Sequence, residues 1–194
     1  ESSKVKHLKQ TYLQGVKQKK QKVKDLKTFV DLCNQSVKAN EDILDYTKLF
    51  EKKRSLMEEN VDKANKHGNK QDVETFTKKV ENNNKELKNT AENHINDQNP
   101  KKGKKAIEDH IMPLIDKQIK DLNQTTITDS NVNEARKNAI EMYYSLQNYY
   151  ETRQDTMGIT QRLAKIDLQN LPKKGEDLES DDKAFDKELN QLKS

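Results

Sequence analysis

The chain has 194 residues, of which 30% are hydrophobic and 36% are charged, and its mean hydropathy is −1.22. A composition this polar excludes one large compact core and leaves either disorder or helices that each bury a narrow stripe. Lys and Arg number 37 against 33 Asp and Glu, which gives a net charge of +4. Because the two signs are mostly interspersed, we expect a solvated surface and no nucleic-acid partner.

Few residues interrupt helical structure, since the chain has only 5 Gly and 3 Pro, and it has no Trp. Strands are not expected. The single cysteine, Cys33, excludes an intramolecular disulfide. The sequence contains no run of 18 or more apolar residues, so no membrane-spanning helix is predicted. Because the chain begins at Glu1 rather than Met, we expect a processed or trimmed form, and a signal peptide or lipid anchor upstream stays open.

The first predicted helix extends from Ser3 to His67 and contains no proline. Its apolar side chains recur at steps of three and four, with Lys19 filling one gap, which is the pattern of a coiled-coil seam. Near Asn40 this seam shifts by about one residue, which predicts a bend or a local change of winding. The first stripe consists of Tyr12, Val16, Val23, Leu26, Val30, Cys33 and Val37, and the second of Ile43, Tyr46, Phe50, Met57, Val61 and Ala64.

Three further helices are predicted. Gly68 and Asn69 read as the end of the first helix and the N-cap of a second over residues 71–97. Asn99 and Pro100 start a third helix that runs to about residue 122, and Pro113 inside it predicts a kink or break over residues 109–112. Thr128 or Ser130 caps the fourth helix, which pauses at Gly158 and ends before Pro172.

These elements predict an all-α fold, an elongated antiparallel helical bundle with one very long N-terminal helix and coiled-coil-like packing. Residues 1–172 are predicted to form this single bundle, in which the first and last helices pair beyond the four-helix region. Residues 173–194 are predicted to be an acidic linker and a weakly amphipathic tail.

Catalytic, cofactor and metal sites are not expected. The four histidines, His7, His67, His94 and His110, lack the helical spacing of paired metal ligands, although His94 and His110 could meet across the second and third helices. No nucleophile or phosphate-binding motif is present, so the protein is predicted not to be an enzyme. Two lysine-rich stretches, residues 17–27 and 101–105, are interpreted as solvated faces, with a polyanion-binding patch as the alternative.

The densest aromatic cluster lies on the fourth helix and gives the predicted partner-binding residues. Adjacent tyrosines on a helix point about 100° apart, so one of each pair can face outward. Tyr144 and Tyr150 are predicted to be the outward pair, and the alternative is that all four tyrosines flank the core with only their hydroxyls in water. The predicted residues are Tyr143, Tyr144, Tyr149, Tyr150 and Arg153.

The abundance of Lys, Asn and Gln together with long capped helices resembles the cell-wall-binding lipoproteins of Gram-positive bacteria. In those proteins a lipid-anchored cysteine precedes a helical rod. The resemblance implies a surface location, with the membrane contacted only through a lipid anchor upstream of Glu1.

The function expected from these features is non-catalytic binding outside the cytoplasm, at the cell surface or after secretion. The partner is either another protein or an anionic cell-wall polymer, recognised through helix faces. The alternative is an intracellular coiled-coil scaffold that forms a homodimer or larger oligomer through the first helix.

Overall fold

The computed structural model describes residues 2–96, 98–171 and 190, and within these it is all-α, as predicted. The helices are α1 (Ser3–His67), α2 (Lys70–His94), α3 (Pro100–Ala106), α4 (Met112–Gln124) and α5 (Ser130–Leu163). A π-helical turn, Ile107–Ile111, joins α3 to α4, and a short 3₁₀ helix spans Leu168–Asn170. No helix in the described ranges is both long and apolar enough to cross a bilayer.

The chain divides into two units, and the single bundle expected for residues 1–172 stays a prediction. One unit is Gln35–Gln161, and the other combines Glu1–Asn34 with Arg162–Ser194. The predicted acidic linker and tail, residues 173–194, lie outside the described residues except for Asn190.

The core of the unit Gln35–Gln161 forms where four amphipathic segments meet. In α5 the buried side chains recur at helical spacing, so one continuous stripe faces inward. Burying each large apolar side chain contributes roughly 1.5–3 kcal/mol, which offsets the low intrinsic helix preference of residues such as Asn82 to Asn84 in α2. The largest fully buried side chains are Tyr143, Phe76, Ile107, Ile111, Ile115, Leu122, Met142 and Val132.

The buried stripe of α1 starts earlier than the sequence predicts. Leu32 and Ala39 are already buried, and the stripe continues through Met57 and Ala64. The predicted shift of the seam near Asn40 is therefore misplaced, because the second stripe extends back to Leu32 while the first stripe stays on a different face.

Two aspartates connect the starts of α2 and α5. Asp72 Oδ2 accepts hydrogen bonds from the backbone N–H groups of Thr128 (2.9 Å) and Asp129 (2.8 Å). Asp129 in turn accepts from Asn69 N and Val132 N, both at 2.9 Å, so Asp129 caps α5 rather than the predicted Thr128 or Ser130. The amides of Asp129 and Thr128 lower the pKa of Asp72, and those of Val132 and Asn69 lower the pKa of Asp129.

The predicted N-caps of α2 and α3 are confirmed. Asn69 accepts from Gln71 N and Asp72 N, and Asn99 accepts from Lys102 N with Pro100 in the first turn. The predicted interruption before Pro113 is the π-helical turn, in which Met112 N–H bonds to the Ile107 carbonyl five residues back. This extra residue in the turn accommodates a proline that has no N–H to donate.

Two glycines, Gly68 and Gly158, differ in how much space surrounds them. A Cβ on Gly68 would lie 2.6 Å from Asp129 Oδ2 and 2.8 Å from the Ala64 carbonyl oxygen, whereas the neighbour that a Cβ on Gly158 would meet among the described residues is Lys104 Nζ, at 3.7 Å. Gly68 is thus required by lack of space. Gly158 is not required, and α5 continues through it instead of pausing.

We therefore expect Gly68→Ala to lower the free energy of unfolding by about 1–3 kcal/mol, because backbone atoms must move. Gly158→Ala should raise it by up to about 1 kcal/mol, because alanine is the better helix former. Urea unfolding followed by circular dichroism measures both. Shifts of the same sign in the two variants would contradict this packing at Gly68.

Candidate functional site

Tyr143 is a core residue rather than a surface contact. Its side chain is fully buried, and its hydroxyl donates a hydrogen bond to Asn84 Oδ1 in α2 at 3.1 Å. Burial raises the pKa of the Tyr143 phenol to about 12. Of the predicted partner-binding residues, Tyr143 therefore has no exposed surface to offer.

The residues next to Tyr143 join α5 to α1. Glu141 Oε2 pairs with Lys53 Nζ of α1 at 2.5 Å, and Met142 is fully buried in the core. Asn138, one turn earlier, donates to Asn60 Oδ1 at 2.8 Å. Three consecutive residues of α5 therefore make three different contacts. Glu141 forms an ion pair with α1, Met142 packs in the core, and Tyr143 donates a hydrogen bond to α2.

Tyr144 has a different environment from these three neighbours. It is 49% exposed and lies on the outer face of α5 together with Glu141, Asn148, Glu151 and Asp155, which are exposed as well. These positions follow each other at steps of three and four, so they form one helix face. The prediction that Tyr144 points outward is confirmed.

Tyr149, Tyr150 and Arg153 form a compact cluster. The two rings meet edge to face with centroids 5.1 Å apart, and the Arg153 guanidinium lies 5.8 Å from the Tyr149 ring and 5.9 Å from the Tyr150 ring. Such distances are typical of cation–π contact. Tyr150 is half-buried against the core, and burial raises its pKa, so the prediction that it points outward is wrong.

The first apolar stripe of α1 is largely exposed. We call Val16, Val23, Leu26, Val30, Cys33 and Val37 the valine seam. The exposed fractions are 39% for Val23, 37% for Leu26, 46% for Val30 and 58% for Val37. The seam was predicted to pack in a coil with the last helix, but the described residues leave it largely uncovered. A row of apolar side chains at heptad spacing on a helix surface is typical of a binding face.

Lysines border the valine seam. Lys17, Lys20, Lys24 and Lys27 are all exposed. A shallow groove of about 470 Å³ lies along this part of α1, and the described residues that line it are Lys19, Lys20, Val23, Lys24, Lys27, Thr28 and Asp31. The face therefore combines apolar surface with positive charge.

Two other features among the described residues carry polar groups that could support chemistry, a histidine pair and a second groove. His94 and His110 do meet, but as exposed stacked rings with centroids 3.8 Å apart and an interplanar angle of 14°, which leaves no common point for a metal. No cluster of three or more metal-binding side chains exists among the described residues. A second groove, of about 330 Å³, lies between α1 and α2 beside Asn84 and carries the mixed charges of Arg54, Glu58 and Glu81.

The all-α fold and the family match together identify the class of protein as a helical lipoprotein domain. Residues 1–193 match the family described as EMYY-motif containing lipoprotein, and the chain belongs to this family. No curated protein and no solved structure matches the chain significantly. Membership of a lipoprotein family indicates a membrane-anchored or surface location.

In this chain the letters EMYY occur at residues 141–144, the segment that connects α5 to α1 and α2. Sequence analysis singled out Tyr143 and Tyr144 but missed Glu141. The side chain of Glu141 acts through Lys53, and a pair of this kind between separate helices leaves no local signal in a chain so rich in both charges.

The buried and exposed members of this segment should differ sharply. Tyr143→Ala removes a fully buried ring, so we expect the free energy of unfolding to fall by about 3–5 kcal/mol. Tyr144→Ala should change it by no more than about 0.5 kcal/mol, because the side chain lies at the surface. Urea denaturation of both variants tests the assignment, and equal losses would contradict it.

Proposed function

We propose that this lipoprotein is a non-catalytic binding protein of the cell envelope that holds an anionic polymer against the first half of α1. The observation that carries the proposal is the exposed valine seam with lysines on its borders. Lysines attract a polyanion over several ångströms, and the apolar side chains between them supply contact area that bulk water disfavours. Family membership supports a location where wall polymers are present.

Self-association through the same seam is supported less well. In a parallel two-stranded coil that places the valines at position a, Lys22 at position g would face Lys27 at position e of the second chain. Like charges at these positions disfavour pairing, whereas an anionic ligand neutralises them. This electrostatic argument favours an anionic polymer over the coiled-coil scaffold.

A protein partner is a second candidate, and Tyr144 is the observation that favours it. Its exposed ring lies on one face of α5 with the carboxylates of Glu151 and Asp155, which are exposed as well. Tyrosine is enriched at protein interfaces because it offers apolar area and a hydroxyl together. A partner with a basic surface would suit this face.

The polymer proposal predicts salt-dependent binding of poly(glycerol phosphate) by the full chain. Replacing Lys17, Lys20, Lys24 and Lys27 with Gln should lower the affinity by at least about tenfold at low salt, because four charges next to the ligand are lost. Isothermal titration calorimetry at several salt concentrations measures the effect.

The matched control replaces four exposed lysines elsewhere, Lys85, Lys88, Lys117 and Lys120, with Gln. This variant has the same net charge and should bind nearly as well as the unmodified chain. Binding that is independent of salt, or an equal loss in both variants, would refute the proposal.

A further inference from the structure

The lysines that border the valine seam form a single row along α1. They follow each other at steps of three and four and are all exposed, so they share one face of the helix. At about 1.5 Å per residue, neighbouring lysines are about 4.5 or 6 Å apart along the helix axis, and the whole row is about 15 Å long. The row consists of Lys17, Lys20, Lys24 and Lys27.

The two ends of the lysine row are followed by residues that do not attract anions. One turn beyond them the same face carries Leu13, which is 64% exposed, and Asp31, which is exposed as well. The acidic residue inside the stretch, Asp25, points to a different side of the helix. Its Oδ1 accepts a hydrogen bond from Gln21 Nε2 at 2.9 Å. On this face the attraction for an anionic ligand is therefore concentrated within the row.

The groove beside the lysine row has room for a polymer backbone. Lys20, Lys24 and Lys27 line it together with Val23 and Thr28. A lysine ammonium is a point charge with three hydrogen-bond donors, so a phosphate that lies between two lysines can bond to both of them. The row has three such gaps, and their centres are about 5 Å apart.

The spacing of these gaps distinguishes between anionic polymers. Neighbouring phosphorus atoms in poly(glycerol phosphate) are six covalent bonds apart, which is at most roughly 7 Å, so a slightly contracted chain reaches consecutive gaps. A polysaccharide with one carboxylate per disaccharide places two sugar rings between its charges, which is too far for neighbouring gaps. Fewer of the lysines then meet an anion, and the attraction is weaker.

We propose that the lysine row recognises about three consecutive phosphodiesters of a glycerol phosphate polymer, one in each gap, and selects this ligand by charge spacing rather than by total charge. The inference rests on the proposed function and narrows its ligand from anionic polymers in general to closely spaced phosphodiesters. Val23 and the aliphatic stems of the lysines contact the glycerol carbons between the phosphates.

The length of the site is tested with glycerol phosphate oligomers of one, three and six phosphates, titrated calorimetrically into the full chain at low salt. The affinity should rise at least about tenfold from one phosphate to three, because the later contacts are intramolecular. From three to six it should rise by no more than about fivefold, since the longer oligomer only offers more positions for the same footprint. Equal affinity for one and three phosphates, or a rise of more than about tenfold from three to six, would overturn the inference.

The role of spacing is tested by moving one charge. Lys24→Gln removes a lysine from the middle of the row and should lower the affinity for the three-phosphate oligomer at least about fivefold at low salt. Adding Gln18→Lys restores the net charge but places the new lysine on another face of α1, so the affinity should stay low. The matched control Lys4→Gln removes one exposed charge from the opposite face and should bind nearly as well as the unmodified chain. Recovery of the unmodified affinity on adding Gln18→Lys would overturn selection by spacing.

Two further ligands separate this inference from the proposed function. Hyaluronate, which has one carboxylate per disaccharide, should bind at least about tenfold more weakly than poly(glycerol phosphate) with the same number of charges. Equal and salt-dependent affinity for the two polymers would overturn the selection and leave the proposed function standing. Binding of neither polymer would refute both. Binding to phosphatidylglycerol vesicles without binding to the soluble oligomers would also refute both, because a membrane surface would then be the partner.

Discussion

The interaction on which the structure depends is the burial of one continuous stripe of α5. Val132, Ala135, Ala139, Met142 and Tyr143 are all fully buried. Two alanines in this stripe let neighbouring helices approach closely, and the larger side chains then fill the space on either side. Because the chain is only 30% hydrophobic, few other contacts could replace this stripe. The caps at Asp72 and Asp129 and the Glu141–Lys53 pair fix where the neighbouring helices meet it.

A narrow core has a functional consequence, since it leaves apolar side chains of α1 on the surface. One face of α1 is buried from Leu32 onward, while the valine seam lies on another face and stays exposed. This member of a lipoprotein family therefore presents a helix face that carries apolar and charged groups together. Binding at such faces needs no enclosed pocket, which agrees with a proposed role in holding a polymer rather than converting one.

Local signals predicted most of the helices. The capping residues Asn69 and Asn99, and Pro113 with the irregular turn before it, act through their own backbone and could be read directly. Contacts between helices that are distant in the sequence could not be predicted from the sequence. The charge pair of Glu141, the cap supplied by Asp129 and the choice between two apolar stripes on α1 all depend on which helix lies opposite. For the same reason the outward position of Tyr144 was predicted correctly but that of Tyr150 was not. The burial of Tyr150 depends on the core residues that pack against it.

Amide hydrogen exchange measured residue by residue tests this dependence on α5 most directly. We expect the slowest exchange within residues 132–146 of α5, where opening requires loss of the core. Residues 3–30 of α1 should exchange at least about a hundredfold faster, because opening there leaves the core intact. Equally slow exchange along all of α1, or faster exchange in α5 than in the first half of α1, would contradict it.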